Sequence, residues 1–255
     1  MRSKLFLAAA IGGCVTAAAM AGDPVAPGSI LPQGFSPKQL NDQQDVRAVL
    51  ASATNAAVTK GGFDDLVERL SSADRKRMEG FADREFTELD GRIEQIRKNW
   101  EQKYGQSLNL DDSKLFEGFV TVYEGEVTDA TTARAHWPVA VRPARDAAVN
   151  TVQSAEYLEN GRNVAIVTVP TSHNLPAISV SMIHEVVDDW RIDIPDNVTG
   201  EQVYQGVKTA LTIVGDNVAA WPSDVNEAQR MLGHRLLMAL YNVPQDPDPK
   251  RAAAN

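Results

Sequence analysis

The joints between the strand-like segments constrain this chain more than any other feature. Between residues 116 and 195 it passes through Phe119–Tyr123, Trp137–Val141, Val149–Leu158, Val164–Val169, Ile178–Val186 and Trp190–Ile194, most of them rich in β-branched and aromatic residues. The connections are mostly shorter than the roughly dozen residues that a crossover helix needs, so consecutive strands must run antiparallel. Asn160-Gly161 is the residue pair of a tight type I′ turn, which predicts a hairpin between Val149–Leu158 and Val164–Val169. Pro170 to Pro176 reads as a loop, Asp188-Asp189 as a turn, and Pro195 as the end of the last strand.

Helical periodicity brackets this block. Asn41 is placed to cap a helix carrying Val46, Val49, Leu50, Ala53, Ala57 and Val58, which Gly61-Gly62 would stop. A short helical turn follows over Phe63–Leu70. Ser71 or Ser72 caps the longest periodic segment, whose stripe of Met78, Phe81, Phe86, Leu89, Ile93, Ile96, Trp100 and Tyr104 is expected to lie on the sheet. Towards the C-terminus, Val203, Val207, Ala210, Leu211 and Val214 mark one helix. After Trp221-Pro222, Ser223 caps another with Val225, Ala228, Leu232, Leu236 and Leu240. With 43% hydrophobic residues among 255, the chain can bury one sizeable core. The expectation is an α+β fold, with an antiparallel sheet of about four to six strands packed against N-terminal helices and two additional C-terminal helices. One domain spans residues 42–241, after a Pro/Gly-rich lead-in over 22–41 and before a frayed tail over 242–255.

The first residues read as an address. Arg2 and Lys4 precede the apolar Leu5–Ala10, and Ala19-Met20-Ala21 is a small-x-small cleavage site, so residues 1–21 are expected to be a signal peptide and the mature protein periplasmic or extracellular. Ile11-Gly12-Gly13-Cys14 also resembles the lipobox of bacterial lipoproteins. Cleavage there would leave Cys14 acylated and the chain anchored to the cell envelope, although the apolar run ahead of it falls just under the usual minimum of roughly 7 residues. Cys14 is the only cysteine, so a chain cut after Ala21 has no disulfide, thiolate metal site or cysteine nucleophile. Beyond the leader nothing approaches about 18 consecutive apolar residues, the length of a membrane span. The net charge of −9 and the lack of a long basic run disfavour nucleic acid as a partner. Arg75-Lys76-Arg77, flanked by Asp74 and Glu79, reads as a solvated helix face.

No Gly-x-Ser-x-Gly elbow, Walker loop, dinucleotide fingerprint or calcium loop occurs. His184-Glu185-Val186-Val187-Asp188 fails as a zinc-helix motif, because its fifth residue is aspartate and a strand would send His184 and Glu185 to opposite faces. No metal or cofactor is implied, and His136, His173, His184 and His234 read as ordinary surface or core residues. Asn197-Val198-Thr199 fits a glycosylation sequon but reads as a helix start, with Asp196 or Thr199 as cap.

One face of the central strands is polar. Ser179, Ser181 and Glu185 alternate with Ile178, Val180 and Met182, and Arg191 and Asp193 alternate with Trp190, Ile192 and Ile194. This face is expected to be wet, as one face of an antiparallel sheet usually is. Sealed around a hollow, it would instead supply a ligand site with Arg191 as charge clamp beside Ser179 and Ser181.

Two passages carry a resemblance. Ala57-Val58-Thr59-Lys60-Gly61-Gly62-Phe63-Asp64-Asp65-Leu66-Val67 resembles the first helix and turn of the nuclear transport factor two-like superfamily. Asp189-Trp190-Arg191-Ile192-Asp193-Ile194-Pro195 is similar to its closing strands. The resemblance covers about residues 42–195. It implies an α+β cone shared by isomerases, cyclases, dehydratases and many non-catalytic binding modules. Ketosteroid-isomerase members hold a carboxylate base and hydroxyl donors in that cone, and no matching motif occurs in this sequence. The two C-terminal helices depart from the family pattern, in which a strand ends the domain.

The functional expectation is an exported, non-catalytic binding or accessory module, its partner a small molecule or an envelope protein. Two alternatives stand beside it: an isomerase- or cyclase-type enzyme with Glu185 or Asp193 as base near Arg191, and an envelope protein anchored through Cys14. An exposed aromatic sheet face would add a homodimer.

Overall fold

The computed structural model describes residues 39–78, 87–127, 162–185 and 189–245. Among them are six α-helices and one four-stranded antiparallel sheet, an α+β arrangement. None of these helices is long and apolar enough to cross a membrane.

Helix α1 (Gln39–Ala56) runs back past Asn41, which is its third residue and not its cap. Gln39 and Leu40 are good helix formers, so the helix extends through them. It presents Val46, Leu50 and Ala53 to the core as the periodicity requires, and Ala57 and Val58 just past its end are buried there too. Gly61 then adopts φ +68, the left-handed turn that ends such a helix at little cost only for glycine, and its N–H donates to Asp90 Oδ1 at 2.9 Å. Helices α2 (Phe63–Val67) and α3 (Ser72–Arg77) follow, the latter capped by Ser71. Helix α4 (Thr87–Tyr104) buries Leu89, Ile93, Ile96 and Trp100. Phe81 and Phe86 of the expected stripe lie outside the described residues.

Strands β1 (Thr121–Val127), β2 (Arg162–Val169), β3 (Ile178–His184) and β4 (Trp190–Asp193) pair in chain order. Phe116, expected at the start of a strand region, instead ends a 3-10 turn over Ser113–Phe116. The hairpin expected across Asn160-Gly161 is not the pairing β2 makes: its two neighbours are β1 and β3, with Val122 opposite Val167 and Ala165 opposite Met182. Residues 137–141 and 149–158 lie outside the described residues. The outer edge of β4 meets the chain after α2, where Ser71 N–H donates to Ile192 O at 2.8 Å and Ile192 N–H donates to Arg69 O at 2.9 Å.

Helices α5 (Gly200–Asp216) and α6 (Val225–Leu240) complete the fold. Thr199 forms a full capping box with Gln202 on α5, as a helix-start reading of the sequon requires. On α6 the cap is Asp224 and not Ser223, its Oδ1 accepting from Glu227 N–H at 3.0 Å. A carboxylate there gains from the helix dipole as well as from the hydrogen bond. The two helices cross where a Cβ on Gly206 would stand 2.8 Å from Ala239 O, an approach only glycine allows.

The long stripe of α4 does not roof the sheet. It packs on α5, while α1 is the helix set against β4 and β1. Trp100 lies against Tyr104 and Trp221, at centroid distances of 4.6 and 5.4 Å. Tyr104 Oη donates to Pro222 O at 2.6 Å, and Trp221 Nε1 to Val214 O at 2.8 Å. An apolar helix face buries itself against whichever apolar surface is nearest, and helix against helix satisfies it as well as helix against sheet.

The end of β3–β4 is closed by a side chain. Tyr241, the residue that ends α6, accepts from Ser181 N–H at 2.7 Å and donates to Asp193 O, so its phenol stands at the rung between those paired residues. Burial and the neighbouring Asp193 push its pKa well above the usual tyrosine range, keeping it a donor at every physiological pH. Tyr241→Phe is expected to lower unfolding free energy by about 1–3 kcal/mol, read from urea denaturation, because buried backbone groups lose that partner.

Candidate functional site

The register places the polar candidates where alternation put them and gives them other work. Ser181 stands opposite Asp193, Ser179 opposite Thr168, and Arg191 opposite Ile183, so all four share one sheet face. That face is not wet. Ser181 and Asp193 are each 2% exposed, and Val164, Ile166 and Ile183 beside them are buried. Branched aliphatics from β2 and β3 populate this face too, which makes both faces of the sheet apolar enough to cover. Arg191 does not clamp Asp193. Its guanidinium donates to Asp189 Oδ2 at 3.0 Å and to Glu68 O at 3.0 Å. Glu185 accepts from Ser72 N–H at 2.7 Å and from Ser72 Oγ–H at 2.6 Å, so it caps the start of α3. His184 turns to the other face, edge-on to Trp190 at 5.2 Å.

Asp74, expected beside Arg75-Lys76-Arg77 on a solvated helix face, is a second buried carboxylate. Asp74, 2% exposed, accepts from Ile194 N–H at 2.9 Å and from Ser71 Oγ–H at 2.8 Å, and Arg77 donates to its other oxygen. Loss of water pushes its pKa up, against the hydrogen bonds from Ile194 and Ser71 and the charge of Arg77, which pull it down. The local signal was present in Ser71-x-x-Asp74, a cap pattern. Its long-range partner, 120 residues away, was not readable. The arrangement ties α3 to the end of β4.

A second polar constellation holds a bent loop against α6. Ser172 and Leu175 bond each other's backbones, and His173 and Asn174 between them have φ of +50 and +61. Two successive left-handed residues make a type I′ turn, a strained choice for histidine. Side chains hold it there. His234 on α6, fully buried, has Nδ1 at 3.1 Å from Ser172 Oγ and Nε2 at 2.9 Å from Pro176 O. Because a carbonyl only accepts, Nε2 carries the proton and Ser172 donates to Nδ1. Burial lowers the pKa of His234 to about 4, with His173 and Arg235 adding like charge, so the ring is neutral near pH 7. His173 Nε2 lies 3.3 Å from Glu227 Oε2.

Glu227 is also a wall of the larger described cavity, a groove of ≈ 740 Å³. One wall is the stretch from Gln106 to Leu115 after α4, and the other is the first turns of α6 from Asp224 to Arg230. Among the described residues Leu115 is its one apolar lining residue. Gln229 Nε2 donates to Asn109 O at 2.7 Å, and Arg230 reaches Leu115 O at 3.2 Å and Glu227 at 2.9 Å, so the walls are braced across their junction. The volume suits a small ligand, and the lining suits a polar one. A strained turn held by buried contacts at the rim of a cavity is a recurrent feature of ligand clamps.

None of the sequence-derived candidates Glu185, Asp193, Arg191, Ser179 and Ser181 lines this groove. Its walls lie in residues 106–115, between the periodic stripe that ends at Tyr104 and the first strand signals, where the sequence marks no element, and on the first turns of α6. Among the described residues no group of three His, Cys, Asp or Glu side chains is placed to hold a metal ion. No family model matches this chain, and no match was found for it among curated proteins or solved structures.

Proposed function

We propose that this protein is an exported, non-catalytic binding module that takes a polar small ligand in the groove between the 106–115 segment and the start of α6. The observation that carries the reading is the lining: a cavity of ≈ 740 Å³ with side-chain amides, a hydroxyl and charges of both signs, and a single leucine. The acid–base candidates support it from the other side, since Glu185 is engaged in capping α3 and Arg191 in holding Asp189 and Glu68.

The test is backbone-amide NMR of the protein titrated with a library of hydroxylated and amide-bearing small molecules. Shifts grouped on Gln106, Ser107, Asn226 and Gln229, lost in Asn226→Ala, are the expected result. The enzyme alternative is read in parallel. Turnover on a panel of isomerase, cyclase and hydrolase substrates that Glu185→Gln or Asp193→Asn abolishes, in a variant with unchanged circular dichroism, would overturn the proposal.

A further inference from the structure

We infer that the groove's occupant is a short peptide ending in a free carboxylate, received by the Lys114 ammonium, with its backbone amides on Gln106, Ser107 and Asn226. This rests on the groove being the binding site. The argument begins from which lining groups are still free. Asp112 accepts from Lys114 N–H at 2.9 Å, Asp224 caps α6, and Gln229 and Arg230 brace the walls. The side chains of Gln106, Ser107, Lys114 and Asn226 make no hydrogen bond or ion pair with other described residues.

That remainder is selective. Two amides and a hydroxyl each offer a donor and an acceptor, the complement of a peptide backbone that presents both in alternation. One free ammonium matches one carboxylate. Among the described residues the groove's lining has no aromatic ring on which a sugar or base could stack, and Leu115 gives a lipid or sterol little to be buried against. Asp112, Asp224 and Glu227 on the same walls repel a polyanion, so a chain of phosphates or uronates is disfavoured while a single terminal carboxylate at Lys114 is not. Those acids also favour a basic side chain upstream of the terminus.

Fluorescence anisotropy with a labelled Gly-Arg-Ala-Ala peptide tests the inference, using the free acid and the C-terminal amide. The free acid is expected to bind about tenfold more tightly than the amide, and Lys114→Gln is expected to remove that preference, because the variant has no charge left to discriminate the two. Asn226→Ala is expected to weaken both peptides equally. Equal binding of acid and amide would overturn the carboxylate assignment. Peptide binding that Lys114→Gln and Asn226→Ala leave untouched would place the site elsewhere and overturn the groove reading with it. If no peptide binds while a neutral oligosaccharide shifts the amide signals of Gln106 and Asn226, the peptide inference fails and the groove reading stands. If neither binds, both fall.

Discussion

Replacing Asp74 with alanine is expected to cost about 3–5 kcal/mol of unfolding free energy, the largest effect of any single substitution considered in this protein. The change leaves the N–H of Ile194 at the end of β4 without its acceptor, the Ser71 hydroxyl without its partner, and Arg77 without the carboxylate that it meets at the edge of the core. The Ile194 N–H and the Ser71 hydroxyl are desolvated, whereas Arg77, partly exposed, keeps Asp196 at 3.4 Å. Asp74→Asn keeps an oxygen for Ile194 and should cost markedly less. The comparison also has a pH signature. Burial raises the pKa of Asp74, so the folded state holds that proton more tightly than the unfolded chain does. The stability linked to it is present at low pH and is lost as pH rises through the folded pKa. The asparagine variant has no such loss, so its deficit against the parent should narrow from acid to neutral pH. Urea denaturation followed by tryptophan fluorescence at both pH values reads the two effects together.

His234 works in the opposite direction. Its folded pKa of about 4 lies below the ordinary value of 6.5, so the unfolded chain binds the proton first as pH falls. The folded state therefore loses stability from pH 6.5 downward until its own ring protonates near pH 4. Across that window the loss is about 3 kcal/mol. The hydrogen bond to Pro176 O offsets only part of the burial penalty; Ser172 holds the other nitrogen, Phe119 lies edge-on at 6.3 Å, and His173 and Arg235 add positive charge. Glu227 is turned towards His173 and Arg230. His234→Gln, which has no titratable proton, is expected to begin less stable at pH 7.5 and to show a flatter profile down to pH 4. Parallel profiles for the two proteins would refute the assignment of the acid slope to this residue.

What the sequence made legible follows from the range of each signal. Helix faces repeat every three or four residues, so Val203, Val207, Ala210, Leu211 and Val214 on α5 and Ala228, Leu232, Leu236 and Leu240 on α6 were readable as buried, whereas Met231, His234 and Leu237–Ala239, buried beside them because α6 is covered on more than one side, were not. Strand alternation correctly grouped Ser179, Ser181, Arg191 and Asp193 on one face. Alternation does not say whether a second layer covers that face, and there the expectation failed, although Val164 and Ile166 on β2 were a clue. Asn160-Gly161 marked a turn, but the choice of strand partner belongs to register, and β1 took the position expected for residues 149–158. The groove was invisible for a different reason. It is assembled from two stretches more than 100 residues apart, as the Asn109–Gln229 contact at separation 120 shows, and no local pattern encodes such a meeting.

The phenol of Tyr241 has a bearing on how the chain is synthesised. Its partner Asp193 precedes it by 48 residues, with both C-terminal helices in between. A ribosome delivering the chain from its N-terminus releases all four strands well before that hydroxyl emerges. The last rung of the sheet must therefore wait for the final helix, and a nascent chain halted before residue 241 would hold an unfinished margin. The order of translation makes this tyrosine the clasp that fastens last.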